Sequence, residues 1–386
     1  MNVLFTIGYY PSIGGVEAIT TNISNELVKM NYGVHILSFW KNCDLEMMGL
    51  DDRVNVGMFS TPVYSKRNIQ FLHNYIISNN IDVILNQWCL PYFVTRLIKH
   101  ARKGTNCKYV AVHQNMPTTN ARIKNVEIDI ENNKGIKFVN FIKWHAYNLA
   151  SRLSLRYVYK NCDRFSLLSA SFIPDAMKYI WENEGKKFIS IPESFDSEAD
   201  GTLPNKDKEL LYLGRIDYNQ KRVRRVIDIW NKLEKKNPDW HLTIVGDGPD
   251  MANVKQKVHD YCLQRVYFEG FQKSYKYFKR APIMLLVSEY EGFGIVLAEA
   301  QSYGCVPVAL DSYTALHDIV ENGKNGIITS YPYSEDEFVN IISELIENEK
   351  LRKKMALNAI CSVKKFELNV IVDKWLKLFA DLKINL

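Results

Sequence analysis

Three stretches of the chain group residues able to hold an anion or a polyol. In Ser288-Glu289-Tyr290-Glu291-Gly292-Phe293-Gly294-Ile295-Val296-Leu297-Ala298-Glu299, two carboxylates, Glu291 and Glu299, lie on either side of a glycine pair. Gly292 and Gly294 permit a turn around Phe293, and Ile295 to Tyr303 has a helical pattern. Glu291 therefore falls in a loop and Glu299 about one and a half turns into the helix. A carboxylate that deep in an apolar helix needs partners, and a ribose diol offers it two hydroxyl donors. The competing reading of the same pair is a helix cap and a core salt bridge.

The second stretch, Gly214-Arg215-Ile216-Asp217-Tyr218-Asn219-Gln220-Lys221-Arg222, follows the apolar run Leu210-Leu211-Tyr212-Leu213. Arg215 and Lys221 can clamp adjoining phosphates, one by a planar fork and the other as a compact charge. Lys221, Arg222, Arg224 and Arg225 fit a solvated helix face equally well. The third stretch is Gly14-Gly15, between the first apolar run and a helix beginning near Val16. Backbone N–H groups at such a turn can approach a phosphate or carboxylate, or the glycines can simply make the turn. Gly8 to Gly15 does not give the GxGxxG spacing of a dinucleotide site.

These stretches hang on a repeating frame. Val3 to Ile7, Val34 to Phe39, Ile81 to Leu85, Tyr109 to Val112, Leu210 to Leu213, His241 to Val245, Val266 to Phe268, Ile283 to Val287 and Val306 to Ala309 are short apolar runs separated by helix-length intervals. Continuous apolar strands of this kind imply parallel sheets covered on both faces. The rhythm is weakest over 117–160, broken by Thr118-Thr119-Asn120 and Glu131-Asn132-Asn133-Lys134-Gly135. It pauses again in the polar segment Asp196 to Lys208. The reading is α/β, two doubly wound domains facing across a cleft: 1–188, then 189–369, then a terminal helix over 370–386. That helix carries Trp375, Leu376, Phe379 and Leu382 on one stripe and returns to the first domain.

With 386 residues, 47% hydrophobic and 24% charged, the chain is neither a disulfide-stapled module nor disordered. The net charge of +6 is uneven: residues 1–190 hold 22 basic and 14 acidic side chains, and residues 191–386 hold 27 and 29. A basic first half suits nucleic acid, an anionic bilayer or a phosphorylated small molecule. No RNA-recognition strand or zinc knuckle accompanies it, which disfavours nucleic acid. Seven Cys without a CxxC pair read as free, mostly buried thiols of a reducing compartment. The start of the chain lacks a signal-peptide pattern, and no apolar run reaches the roughly 18 residues of a membrane span. A cytoplasmic location follows, with peripheral contact at the inner face of the plasma membrane. That contact is expected over 136–160, where Phe138, Phe141, Ile142, Leu149, Leu153 and Tyr157 form a stripe accompanied by five cations and no acid.

Gly14-Gly15-Val16, Gly214-Arg215 with Lys221, Gly246-Asp247-Gly248-Pro249, Phe268-Glu269-Gly270 and Glu291-Gly292-Phe293-Gly294 with Glu299 occur in an order and spacing that resembles the retaining glycosyltransferases of the GT-B family four. The interval from Arg215 to Lys221 is one residue longer than in many relatives. The resemblance implies a nucleoside-diphosphate-sugar donor, uridine diphosphate favoured, whose diphosphate is held by Arg215 and Lys221 and whose ribose is bound by Glu299. It implies that Glu291 and the amides of Phe293, Gly294 and Ile295 meet the sugar and phosphate. Gly14, Gly15, Gly246 and Gly270 would line the donor, and His113 would face the sugar, a structural hydrogen-bonding role being its alternative. Catalytic roles would fall to His113, Arg215, Lys221 and Glu291, with no cofactor and no metal. The implied reaction is hexosyl or N-acetylhexosaminyl transfer, with retained configuration, to a glycan or polyprenyl-diphosphate-linked acceptor in bacterial surface polysaccharide synthesis. A nucleotide-sugar 2-epimerase or a non-catalytic nucleotide-sugar binder would use the same donor pocket.

Overall fold

A computed structural model describes residues 1–12, 14–131, 135–196 and 199–384. The chain forms two compact units, one of Met1–Ser194 with Leu368–Leu386 and one of Phe195–Glu367. The first contains β1 (Asn2–Tyr9), β2 (Gly33–Trp40), β3 (Asn55–Met58), β4 (Val83–Asn86), β5 (Lys108–His113), β6 (Arg164–Leu167) and β7 (Phe188–Ser190). They pair in parallel in the order β3-β2-β1-β4-β5-β6-β7. Because β7 extends this sheet, the first unit runs to Ser194 rather than stopping at 188.

The second unit contains β8 (Glu209–Leu213), β9 (His241–Val245), β10 (Val266–Gly270), β11 (Ile283–Leu286), β12 (Val306–Leu310) and β13 (Ile327–Thr329). Their order is β10-β9-β8-β11-β12-β13, again parallel. Helices supply the crossovers that parallel pairing requires. Both sheets are apolar on their two faces: in the first, Val3, Phe5, Val83 and Val110 are buried on one side and Leu4, Ile84 and Tyr109 on the other, and in the second, Leu210, Leu242, Ile283 and Val306 on one side and Leu211 and Met284 on the other.

The terminal helix Leu368–Ile384 joins the first core, starting at Leu368 rather than 370. Trp375, Phe379 and Leu382 are buried there, Leu376 packs alongside, and the Phe379 ring lies 6.4 Å from that of Tyr32. The weak segment 117–160 holds two helices, Ala121–Glu131 and Lys137–Asn161. The interruption at Asn132-Asn133-Lys134 lies outside the described residues, as do Ile13 within the first glycine turn and Ser197-Glu198 within the polar linker. Four of the seven cysteines are buried, Cys43 is half-buried, Cys262 and Cys361 are exposed, and all are unpaired. Among the described residues no helix is long and apolar enough to cross a membrane.

Candidate functional site

In the second sheet β8 and β11 are neighbours, and later strands are added outward from them in opposite directions. The crevice outside the carboxyl ends of such a pair is where open α/β sheets take ligands. The loop with Arg215 and Lys221 leaves β8, and the loop with Glu291 and Gly294 leaves β11. The fold therefore sets both stretches at one topological switch point.

The two loops are tied together. Glu289 N donates to Gln220 O (2.8 Å), and Gln220 Nε2 donates to Tyr290 O (3.2 Å) and Glu291 Oε2 (3.5 Å). Lys221 Nζ reaches Glu291 Oε1 at 2.6 Å, with both side chains largely buried. The turn between the cations is organised by Asp217, whose Oδ1 accepts from the amides of Gln220 (2.7 Å) and Lys221 (3.2 Å). Its Oδ2 pairs with Arg215 Nε at 2.8 Å, and Arg215 Nη2 also donates to Gln220 Oε1 (3.1 Å). The longer interval thus leaves Lys221 aimed at the β11 loop. Arg215 keeps 61% of its side chain exposed.

The following cations are not a solvated helix face. Arg222 and Arg225 pair with Glu289, and Arg224 pairs with Asp250. Asp217, Gln220 and Glu289 carry the loop geometry, yet none stood out in the sequence. Asp217 two residues after Arg215 and just ahead of the Gln-Lys amides was the available signal, since an Asp side chain readily caps a following turn.

Glu299 stands on the helix Ile295–Ser302, half-buried. Among the described residues no group donates to its carboxylate, and burial pushes that carboxyl up to about 7. This is neither the cap nor the core salt bridge of the competing reading. The helix begins at Gly294, whose φ of +84° suits glycine and whose Cβ would fall 2.3 Å from the Tyr313 hydroxyl oxygen. The first helical turn leaves backbone N–H groups without intrahelical partners, including that of Ile295. The Phe293 side chain packs away in the core, its ring 5.2 Å from Phe366, so only its backbone can serve a ligand.

Gly246 has a packing role. A Cβ there would meet Gly214 O at 2.0 Å, because the loops after β8 and β9 are zipped backbone to backbone through Ile216 N to Asp247 O (2.9 Å) and Asp250 N to Ile216 O (3.1 Å). Gly246 N donates to Gly270 O (2.7 Å), joining these two predicted donor-lining positions.

The remaining candidates belong to the first unit. Gly14 and Gly15 are exposed, Gly15 opening the helix Gly15–Lys29 after β1. His113 ends β5 and is buried, with Nδ1 3.7 Å from Cys89 Sγ and Nε2 3.4 Å from Met116 O. Burial pulls its imidazole down to about 4, so it is neutral near pH 7. The first sheet has its own switch point between β1 and β4, and a row of aromatics marks it. Ring centroids are 5.1 Å apart for Tyr9 and Trp40, 5.3 Å for Trp40 and Trp88, and 6.0 Å for Trp88 and Phe93. The row was missed from sequence because its members come from four separate segments.

Residues 194–362 match the family model described as glycosyl transferases group 1. The chain is 30% identical over 178 residues to the amylovoran biosynthesis glycosyltransferase AmsD of Erwinia amylovora, covering 46% of this chain and 49% of that protein. It is 32% identical over 155 residues to the lipopolysaccharide 1,6-galactosyltransferase of Salmonella typhimurium, covering 38% and 42%. It spans about half the length of these relatives. The crystal structure of Anabaena HepE in complex with UDP and glucose superposes with a TM-score of 0.75 at 16% identity, covering 99% of this chain and 100% of that one. Residues 194–362 thus match the group 1 glycosyl transferases, and the chain shares its fold of two doubly wound domains with GT-B glycosyltransferases.

Proposed function

We propose that this chain transfers a hexose or N-acetylhexosamine from a nucleoside-diphosphate sugar, a uridine diphosphate sugar first, to a glycan or lipid-linked acceptor of a bacterial surface polysaccharide. The observation that carries the reading is Glu299: a half-buried carboxylate beside a switch-point loop, without a protein donor among the described residues. A ribose diol supplies the missing hydrogen bonds. Arg215 and Lys221 then meet the diphosphate, trading part of their pairing with Asp217 and Glu291 for phosphate oxygens. The names of the amylovoran and lipopolysaccharide relatives, and the UDP and glucose bound to HepE, support the same class of substrate.

Transfer proceeds with retention. The bond from the anomeric carbon to the diphosphate oxygen breaks as the acceptor oxygen bonds on the same face, and the acceptor proton passes to the departing diphosphate. Arg215, Lys221 and the amides of Phe293, Gly294 and Ile295 stabilise the charge on that leaving group. Glu291 orients Lys221 and the transferred sugar. Gly246 and Gly270 bound the donor on the second unit, and His113 of the first unit, held neutral by burial, is able to donate or accept a hydrogen bond.

A panel of UDP- and GDP-sugars, read by nucleoside-diphosphate release with and without glycan acceptors, tests this. Release that depends on an acceptor, and an α-linked product from an α-linked donor, are expected. Rearranged sugar without acceptor would indicate an epimerase, and binding without product a sensor. Because two protein cations neutralise the leaving group, turnover should persist after exhaustive EDTA treatment. Loss restored only by magnesium or manganese would contradict the cation assignment.

A further inference from the structure

One face of the helix Lys137–Asn161 packs into the first unit, and the opposite face carries exposed apolar side chains. Asn140, Ser151, Leu155 and Val158 are buried. On the opposite side Phe138, Ile142, Leu149 and Leu153, spaced four, seven and four residues apart, are each at least 50% exposed. This spacing makes one stripe about 22 Å long. Ile136 and Phe141 widen it near the start of the helix, at 70% and 58% exposure. A contiguous apolar face of this size, left in water, marks an interaction surface.

The charges around the stripe select its partner. Lys137, Lys143, Arg152, Arg156 and Lys160 are the only charged side chains over 136–160. Arg152 and Arg156 stand over the half-exposed ring of Trp181, with guanidinium carbons 4.6 and 5.5 Å from its centroid. Of the acids on the preceding helix Ala121–Glu131, Glu127 is already taken by Lys124 (2.8 Å) and by the Trp144 indole N–H (3.0 Å). A second copy seated on this face would set five cations against five. An anionic leaflet instead accepts the apolar stripe at acyl depth, the cations among its phosphates and the tryptophan at its interface. Tyr157, expected on the stripe from sequence, lies instead against Tyr92, with ring centroids 5.8 Å apart.

We infer that the outward face of helix Lys137–Asn161 docks the chain on a bilayer rich in anionic phospholipid. This rests on the first unit alone and stands whether or not the sugar-transfer reading holds.

Sedimentation of the full chain with vesicles of equal phosphatidylglycerol and phosphatidylcholine tests it, with pure phosphatidylcholine vesicles as control. The chain should pellet with the anionic vesicles and not the neutral ones, and association should weaken steeply at about 1 M salt, where the Debye length is about 3 Å. Replacing Lys137, Lys143 and Lys160 by Gln should lower the partition coefficient on the order of a hundredfold, at about fivefold per cation. These lysines are chosen because Arg152 and Arg156 also pack on Trp181. Phe138, Ile142, Leu149 and Leu153 changed together to Ser should abolish pelleting while leaving circular dichroism and the melting temperature near those of the parent, since their side chains face solvent. No pelleting of the parent with anionic vesicles, or pelleting of both folded variants equal to the parent, overturns the inference. So does a parent dimer in analytical ultracentrifugation that the serine variant dissolves while vesicles bind neither protein.

Discussion

At the scale of single residues, the chain places two carboxylates in opposite circumstances within one segment. Glu291 is matched to Lys221 at 2.6 Å, whereas Glu299 has no donor among the described residues. Its folded-state value near 7, above the ordinary glutamate range, means that between about pH 4.5 and 7 the folded chain binds more protons than the unfolded one. Stability therefore falls as pH rises through that window. Glu299→Gln removes the penalty, so the variant should exceed the parent in urea stability on the order of 2 kcal/mol above pH 7 and match it near pH 4. Equal stabilities at pH 8 would remove the desolvated carboxylate. Lys221→Met strands Glu291 as a buried unpaired charge and should cost about 3–5 kcal/mol, while Lys221→Met with Glu291→Gln should recover much of it and remain inactive. Recovery of stability together with activity would show that the pair is only structural. The two glutamates were legible from residue type and glycine spacing. The Asp217 turn was not, because a short-range side-chain cap leaves no periodic trace.

Among the elements, the long buried strands announced themselves: β1, β2, β5, β8, β9 and β12 are strands of five residues or more built around mostly apolar runs. The strands β3, β6 and β13 were missed. Each has only three or four residues; β3 contains Asn55 and Gly57 at a half-exposed sheet edge, and β6 opens with Arg164. Such strands take their conformation from the neighbour they pair with rather than from their own pattern. The aromatic row at the β1 and β4 carboxyl ends belongs to this scale as well. Trp88 lies against Gly8, where a Cβ would come within 3.3 Å of the indole. Tyr9 and Tyr92 are 43% and 47% exposed. Flat rings at this sheet edge would suit the C–H face of a pyranose acceptor in the proposed transfer. Trp88→Ala should raise the acceptor KM several-fold without changing nucleotide affinity, a stacking contact being worth about 0.5–1.5 kcal/mol. An unchanged acceptor KM in the folded variant would leave the row a packing device.

For the whole molecule, the two-unit plan followed from alternating apolar runs and helical intervals, and the polar linker gave the division to within a few residues. The return of the last helix to the first core was legible only as an amphipathic stripe, because its partner surface is assembled from segments hundreds of residues earlier. Charge asymmetry pointed to an anionic partner without choosing one; the exposed stripe on Lys137–Asn161 is what the inference of a bilayer rests on. The proposed donor site depends on Glu299 receiving hydrogen bonds that none of the described residues provides. Calorimetry at pH 8 with UDP and 2′-deoxy-UDP, on the parent and on Glu299→Gln, tests this most directly. The parent should bind UDP more tightly than the deoxy analogue, and the variant should lose about ten- to a hundredfold in UDP affinity while the gap between the two ligands closes. A folded Glu299→Gln chain that binds UDP as tightly as the parent, with the same preference over the deoxy analogue, would contradict the account.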